Sequence, residues 1–136
     1  MTTTPRVLFI CAKNGGKSQM AAGLMSHLAG DMVHVSSAGT KPASALNAQS
    51  VESLAELGID ITHEHPKAVT DDALTAADVV VVLGREAQIT APEGTELEVW
   101  DTDEPSERGI EGMERMRLVR DDIRRRVADL HARLTR

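Results

Sequence analysis

The apolar positions of this chain fall into short unbroken runs separated by stretches with helical spacing. Val7–Ile10 (VLFI) reads as a short strand buried on both faces, and Asp78–Leu83 (DVVVVL) as the most apolar strand of all. His34–Ser37 and Glu96–Trp100 read as two further strands. Between them, Ser18–Ala29 places Met20, Leu24, Met25 and Leu28 at helical intervals. Ala48–Leu57 reads as a second helix, stopped by Gly58. After Pro66, Thr70 or Asp71 caps a short helical turn. Ile110–Leu134 is one long amphipathic helix, with Met113, Met116, Val119, Ile123, Val127, Leu130 and Leu134 on one stripe.

Strands that alternate with helices and carry no polar face imply a parallel sheet covered on both sides. The expected fold is therefore α/β: a single domain of three layers, with a four-stranded parallel sheet between helices. Parallel strands end on one edge, where such folds bind ligands. Cys11, Ser37–Thr40, Gly84 and the Trp100–Pro105 loop are expected to share that rim.

Composition narrows the function. With one Phe, one Trp and no Tyr, the chain lacks the aromatic platforms on which nucleic-acid bases stack. A net charge of −6 gives no long-range attraction to nucleic acid or to an acidic membrane. No apolar run is long enough to span a bilayer, and MTTTPR has no signal-peptide core, so a cytoplasmic location is expected. The one cysteine in 136 residues allows no disulfide within the chain and no zinc site built of several thiolates.

That cysteine closes the first strand and opens a turn rich in glycine: Cys11-Ala12-Lys13-Asn14-Gly15-Gly16-Lys17-Ser18. Backbone N–H groups in such a turn can face inward as a nest for a tetrahedral oxyanion, reinforced by the positive end of the helix that follows. The same field and the Lys17 ammonium favour Cys11 as a thiolate, and Ser18 can donate a hydrogen bond to it. Asn14 tolerates the left-handed backbone such a turn needs. Against this, a lone cysteine at a strand end is ordinarily an inert core residue. Gly15-Gly16-Lys17-Ser18 also imitates the end of a nucleotide P-loop, but the first glycine of that motif would fall at Cys11.

At these residues the sequence resembles the low-molecular-weight protein tyrosine phosphatase superfamily, which includes a class of arsenate reductases. The signature of that family is Cys, five residues, Arg, then Ser or Thr. Its second mark stands here as Ser37-Ala38-Gly39-Thr40 and its third, an acid before proline, as Asp103-Glu104-Pro105. One departure stands out: Lys17 occupies the place of the signature arginine. A guanidinium grips an oxyanion with two prongs, whereas an ammonium offers a single compact charge. NGGKSQMAA, SAGTKPA and GMERMRLVRDDI look specifically like the mycothiol-coupled arsenate reductases, or arsenate–mycothiol transferases.

The resemblance implies Cys11 as nucleophile and residues Ala12–Ser18 as the oxyanion loop. Glu104 is then the acid for the leaving oxygen, with Asp103 next and Asp101 nearby; Ser37 and Thr40 brace the loop by hydrogen bonds. It implies arsenate as substrate, mycothiol as thiol co-substrate, a glutaredoxin-like mycoredoxin as the reducing partner, and no bound cofactor or metal. Thioredoxin-coupled relatives relay oxidation through further cysteines of their own chain; lacking these, Cys11 needs an external thiol, and glutathione or bacillithiol satisfies the same arithmetic. Lys41 and Arg85 are candidates for attracting the anion, although surface cations usually have no such role. His63 and His65 have a metal-like spacing but read as an exposed loop, while Trp100 is expected against the terminal helix. Two rivals use the same loop: a tyrosine phosphatase working through a phosphocysteine, and a non-catalytic oxyanion-binding protein.

Overall fold

A computed structural model describes residues 4–135; Met1–Thr3, the start of the MTTTPR stretch, and Arg136 lie outside the described residues. Strand β1 is Arg6–Cys11, followed by helix α1 at Lys17–Ala29 and strand β2 at His34–Gly39. Helices α2 (Ala48–Ala55) and α3 (Asp71–Ala76) precede strands β3 (Val79–Leu83) and β4 (Glu96–Trp100). A single turn at Pro105–Arg108 leads into α4, Gly112–Leu134. All pairings are parallel and the order is β2-β1-β3-β4, so every strand ends on the same edge.

Alternation along the strands divides the interior in two. Val7, Phe9, Val79, Val81, Leu83 and Trp100 face α1, α2 and α4 in the larger core. Leu8, Ile10, Val80 and Val82 face the other way, against Leu74 of α3, Ala77 and Ala87. Cys11 has the parity of Val7 and Phe9, which sends its sulfur to the side of α1. As expected, Trp100 lies in the same core as Met116, Val119 and Ile123 of α4; it also packs against Phe9, ring centroids 5.8 Å apart.

Several boundaries differ from the reading of the sequence. β2 runs on through Ala38 and Gly39, because these pair with Ile10 and Cys11. α1 starts at Lys17, the residue after Gly16, and its inward face is Met20, Ala21, Leu24, Met25 and Ala29, leaving Leu28 exposed. α2 stops at Ala55 rather than Leu57, and α4 starts at Gly112 because the Ile110 N–H is held by the Pro105 carbonyl. The six-residue α3 is a small cover, and Leu97 and Val99 on the β4 edge remain exposed.

Helix α2 is fixed to α4 by charge. Arg117 donates to both oxygens of Glu56, and Arg120 reaches Glu56 at 2.8 Å and the Ser53 carbonyl at 3.0 Å. The Arg117 hydrogen bond, aided by Arg120 and opposed by partial desolvation, lowers the Glu56 carboxyl from 4.5 to about 2. A depressed carboxyl adds stability above the unfolded value that is lost as pH falls through the folded one. The thermal midpoint should therefore drop as the pH is lowered from 4.5 toward 2, and drop less in Glu56→Gln. Equal slopes in a pH series of thermal melts would refute that role.

Candidate active site

Cys11 is 7% exposed and its sulfur accepts the Asn14 N–H at 3.2 Å. The Ser18 hydroxyl lies 3.0 Å from the same sulfur. Asn14 Nδ2 donates to Ser18 Oγ at 2.7 Å, so an oxygen lone pair is occupied and the Ser18 proton is free to point at sulfur. The Asn14 Oδ1 in turn accepts Gln19 Nε2 at 3.2 Å and the Lys67 N–H at 3.0 Å. Asn14 is wholly buried and stands at φ 50, the left-handed geometry expected of it.

The outer wall of the loop is a ladder of main-chain bonds. The carbonyls of Cys11, Ala12, Lys13 and Gly15 accept from the N–H groups of Thr40, Lys41, Ala43 and Asn47, at 3.3, 2.7, 2.9 and 2.7 Å. A trans peptide holds its C=O and the next N–H on opposite sides. With the carbonyls turned outward, the N–H groups of Ala12, Lys13, Asn14 and Gly16 turn to the other side, and the Asn14 N–H is found on the sulfur. Residues 12–16 thus form a nest, and α1 begins directly behind it with no side-chain cap at its N-terminus.

Of the two residues expected to brace the loop by hydrogen bonds, Thr40 does so through this ladder and Ser37 does not. Ser37 Oγ accepts from Lys67 Nζ at 3.3 Å and makes no hydrogen bond to the loop. Thr40 braces Cys11 through its main-chain N–H rather than its hydroxyl. The Ser37–Thr40 stretch does not line the cavity; its place on the rim is taken by Ala43, Ala45 and Asn47. The residue of that stretch with a steric role is Gly39: a Cβ there would stand 2.7 Å from the Ala12 oxygen and 2.9 Å from the Asn14 Cβ.

Above the loop opens a cavity of about 750 Å³, walled by Cys11–Lys13, Gly15–Lys17, Leu83–Glu86, Asp101–Glu104 and Arg115 among others. Lys17 crosses it to hydrogen-bond Oε1 of Glu104, and Arg115 meets Oε2 at 3.4 Å. Burial alone would raise the Glu104 carboxyl, but Lys17, joined by Arg115, outweighs it and holds the group below its ordinary range. Asp103 is engaged by Arg108 at 2.8 and 3.1 Å and Asp101 by Arg85 at 3.0 and 2.8 Å; each guanidinium lowers its carboxyl. Lys41 is exposed and off the cavity wall. His63 and His65 are exposed, with His63 against Glu64, and among the described residues no metal-holding group of acids, histidines and cysteine occurs.

Gln19, Lys67 and Asp122 escaped the sequence reading. Buried Asp122 accepts the Asp103 N–H at 3.0 Å, and Arg126 donates to the Asp101 carbonyl at 3.0 Å, so α4 clamps the acidic loop. For Gln19 the available signal was its place beside Ser18 on the loop-proximal turn of α1; Lys67 acts through its main chain and gave none.

Residues 6–136 match the sequence profile described as "Low molecular weight phosphotyrosine protein phosphatase". The chain belongs to that family. Among its relatives are a putative arsenate reductase of Halobacterium salinarum, 32% identical over 94% of this chain and 92% of the other, and the arsenate reductase of Bacillus subtilis, 33% identical over 90% and 92%. The thioredoxin-dependent arsenate reductase of Corynebacterium glutamicum superposes with a TM-score of 0.83 at 34% identity; the match covers 98% of this chain but 63% of that one. An arsenate reductase in a phosphate-binding state gives 0.83 at 27% identity, covering 96% and 99%. Within this phosphatase family, the fold of one all-parallel sheet is therefore shared with arsenate reductases.

Gly39→Ala should cost about 1–3 kcal/mol, because the oxyanion loop at Ala12 and Asn14 must shift to admit the new methyl. A lower urea midpoint, together with weaker protection of Cys11 from iodoacetamide by sulfate, is the expected result. An unchanged midpoint would show that the loop yields freely.

Proposed function

We propose that the protein reduces arsenate with an external thiol, in the cytoplasm, and that mycothiol is this thiol. The observation that carries the reading is a sulfur that accepts the Asn14 N–H and lies against the Ser18 hydroxyl at the floor of an oxyanion nest, in a chain of 136 residues with no second cysteine. Arsenate sits in residues Ala12–Ser18, neutralised by loop N–H groups and Lys17. Cys11 attacks arsenic, and the departing oxygen is protonated from the Lys17–Glu104 pair, Asp103 being committed to Arg108. Mycothiol then takes the arsenic from Cys11 as an arseno(V)–thiol adduct. A mycoredoxin thiol attacks the sulfur of that adduct; a disulfide forms and two electrons pass to arsenic, releasing arsenite.

Relatives named arsenate reductases support the substrate. The C. glutamicum protein is thioredoxin-dependent, but an internal disulfide relay is closed to these 136 residues, which favours a small thiol here. No bound cofactor is needed, since the electrons come from thiols. Among the described residues no helix is long and apolar enough to cross a membrane.

The family match itself favours a second reading, a tyrosine phosphatase working through a phosphocysteine. Lys17 in the arginine position and the lack of tyrosine count against it. One experiment separates these readings and the non-catalytic one. Protein is mixed with arsenate and mycothiol, glutathione or thioredoxin, with and without mycoredoxin, beside an aryl-phosphate assay. Arsenite should appear with mycothiol plus mycoredoxin, and Cys11→Ser should lower its rate at least a thousandfold. Turnover by thioredoxin alone would replace the partner. Aryl-phosphate hydrolysis without arsenate turnover would make the protein a phosphatase. Anion binding with neither activity would leave it an oxyanion-binding protein.

A further inference from the structure

The acid before Pro105 is the expected proton donor for the leaving oxygen, yet its surroundings are those of a carboxylate. Glu104 Oε1 faces the Lys17 ammonium and Oε2 faces the Arg115 guanidinium. Neither neighbour can accept a hydrogen bond. Each oxygen already faces a cationic donor, so the surroundings favour the ionised carboxylate over the protonated acid. Partial burial works against ionisation, but Lys17 and Arg115 outweigh it and keep the group ionised. The hydrogen that lies between α1 and the acidic loop therefore belongs to nitrogen.

We infer that Lys17 is the general acid of the reaction, and that Glu104 orients the Lys17 ammonium rather than supplying the proton itself. This rests on the arsenate-reductase reading of the site. The position of Lys17 suits the role. It is the first residue of α1, beside the nest, and its Nζ reaches across the cavity to within 3.5 Å of where a Gly84 Cβ would stand. It thus spans from the Cys11 loop to the end of β3, over the space where a group bound in the nest projects. An arginine in this place would supply charge but would not part with a proton, whereas an ammonium can. The departure from the family signature then has a chemical meaning: it moves the acid from the loop after β4 to the oxyanion loop itself.

The Cys11 thiolate forms a bond to arsenic of dihydrogen arsenate, and one As–O bond breaks. The departing hydroxide takes a proton from Lys17 Nζ and leaves as water, and Lys17 becomes a free amine. Arsenic stays pentavalent. In the second half the incoming thiol gives its proton to the Lys17 amine. Its sulfur bonds arsenic, the Cys11–As bond breaks, and Cys11 departs as thiolate. Between the two halves Arg115 remains on Glu104, so the carboxylate is never left without a cation. Two cations on one carboxylate are what such a cycle requires.

The test compares three variants with wild type, reading arsenite formation and the arsenate concentration that protects Cys11 from iodoacetamide. Lys17→Arg should keep protection within about threefold while kcat falls about a hundredfold or more. Lys17→Ala should regain turnover with added alkylamines, in proportion to their concentration and varying with their acidity. Glu104→Gln should lose less than tenfold in kcat. A wild-type protein that makes arsenite while Lys17→Arg matches it, or while Glu104→Gln falls a hundredfold and amines restore nothing, overturns the proton assignment alone. A wild-type protein that makes no arsenite with any thiol removes the reading on which the assignment rests.

Discussion

One buried carboxamide holds the functional end of this molecule together. Asn14 spends both ends of its side chain on the loop: Nδ2 on Ser18, Oδ1 on Gln19 and on the main chain of Lys67, while its own N–H goes to the Cys11 sulfur. The end of β1, the start of α1 and the distant chain at Lys67 meet at this residue. A buried polar group costs free energy unless it is satisfied, and here both polar atoms of the side chain have partners, so the network favours one loop shape over its alternatives. The same network holds Asn14 in its left-handed backbone conformation, one that asparagine tolerates.

The strands were legible because a sheet buried on both faces must be written in apolar runs, and Val7–Ile10 and Val79–Leu83 have no other reading. The long helix was equally plain from its stripe, which the larger core absorbs from Met116 to Leu130. The oxyanion loop could be seen because its demands are local: two glycines, a residue tolerant of positive φ, a helix start. Ser37 was misread for a physical reason. Hydroxyls in a Ser-Ala-Gly-Thr stretch suggest hydrogen bonding, but the closest approach to the loop belongs to Gly39, where having no side chain is what matters.

Pairings between distant segments were not legible. Nothing in the sequence says that Glu104 meets Lys17 and Arg115, that Arg108 takes Asp103, or that Asp122 holds the N–H of Asp103. Acids and bases are interspersed throughout the last third of the chain, and many combinations are possible until the sheet fixes which loop faces which helix. The charges of the active rim come from α1, the loops after β1, β3 and β4, and α4. They form a site only in the folded chain.

The outward-turned carbonyls of Cys11, Ala12, Lys13 and Gly15 have a consequence for how such a protein can diverge. The polarity of the cradle is written in peptide groups, and its fastening to residues 40–47 is also peptide to peptide. Side chains at Ala12 or Lys13 can drift over evolutionary time while the receptor for a tetrahedral anion persists. Chemistry can then be respecified at the few places where a side chain enters the cavity, and the scaffold underneath need not be reinvented.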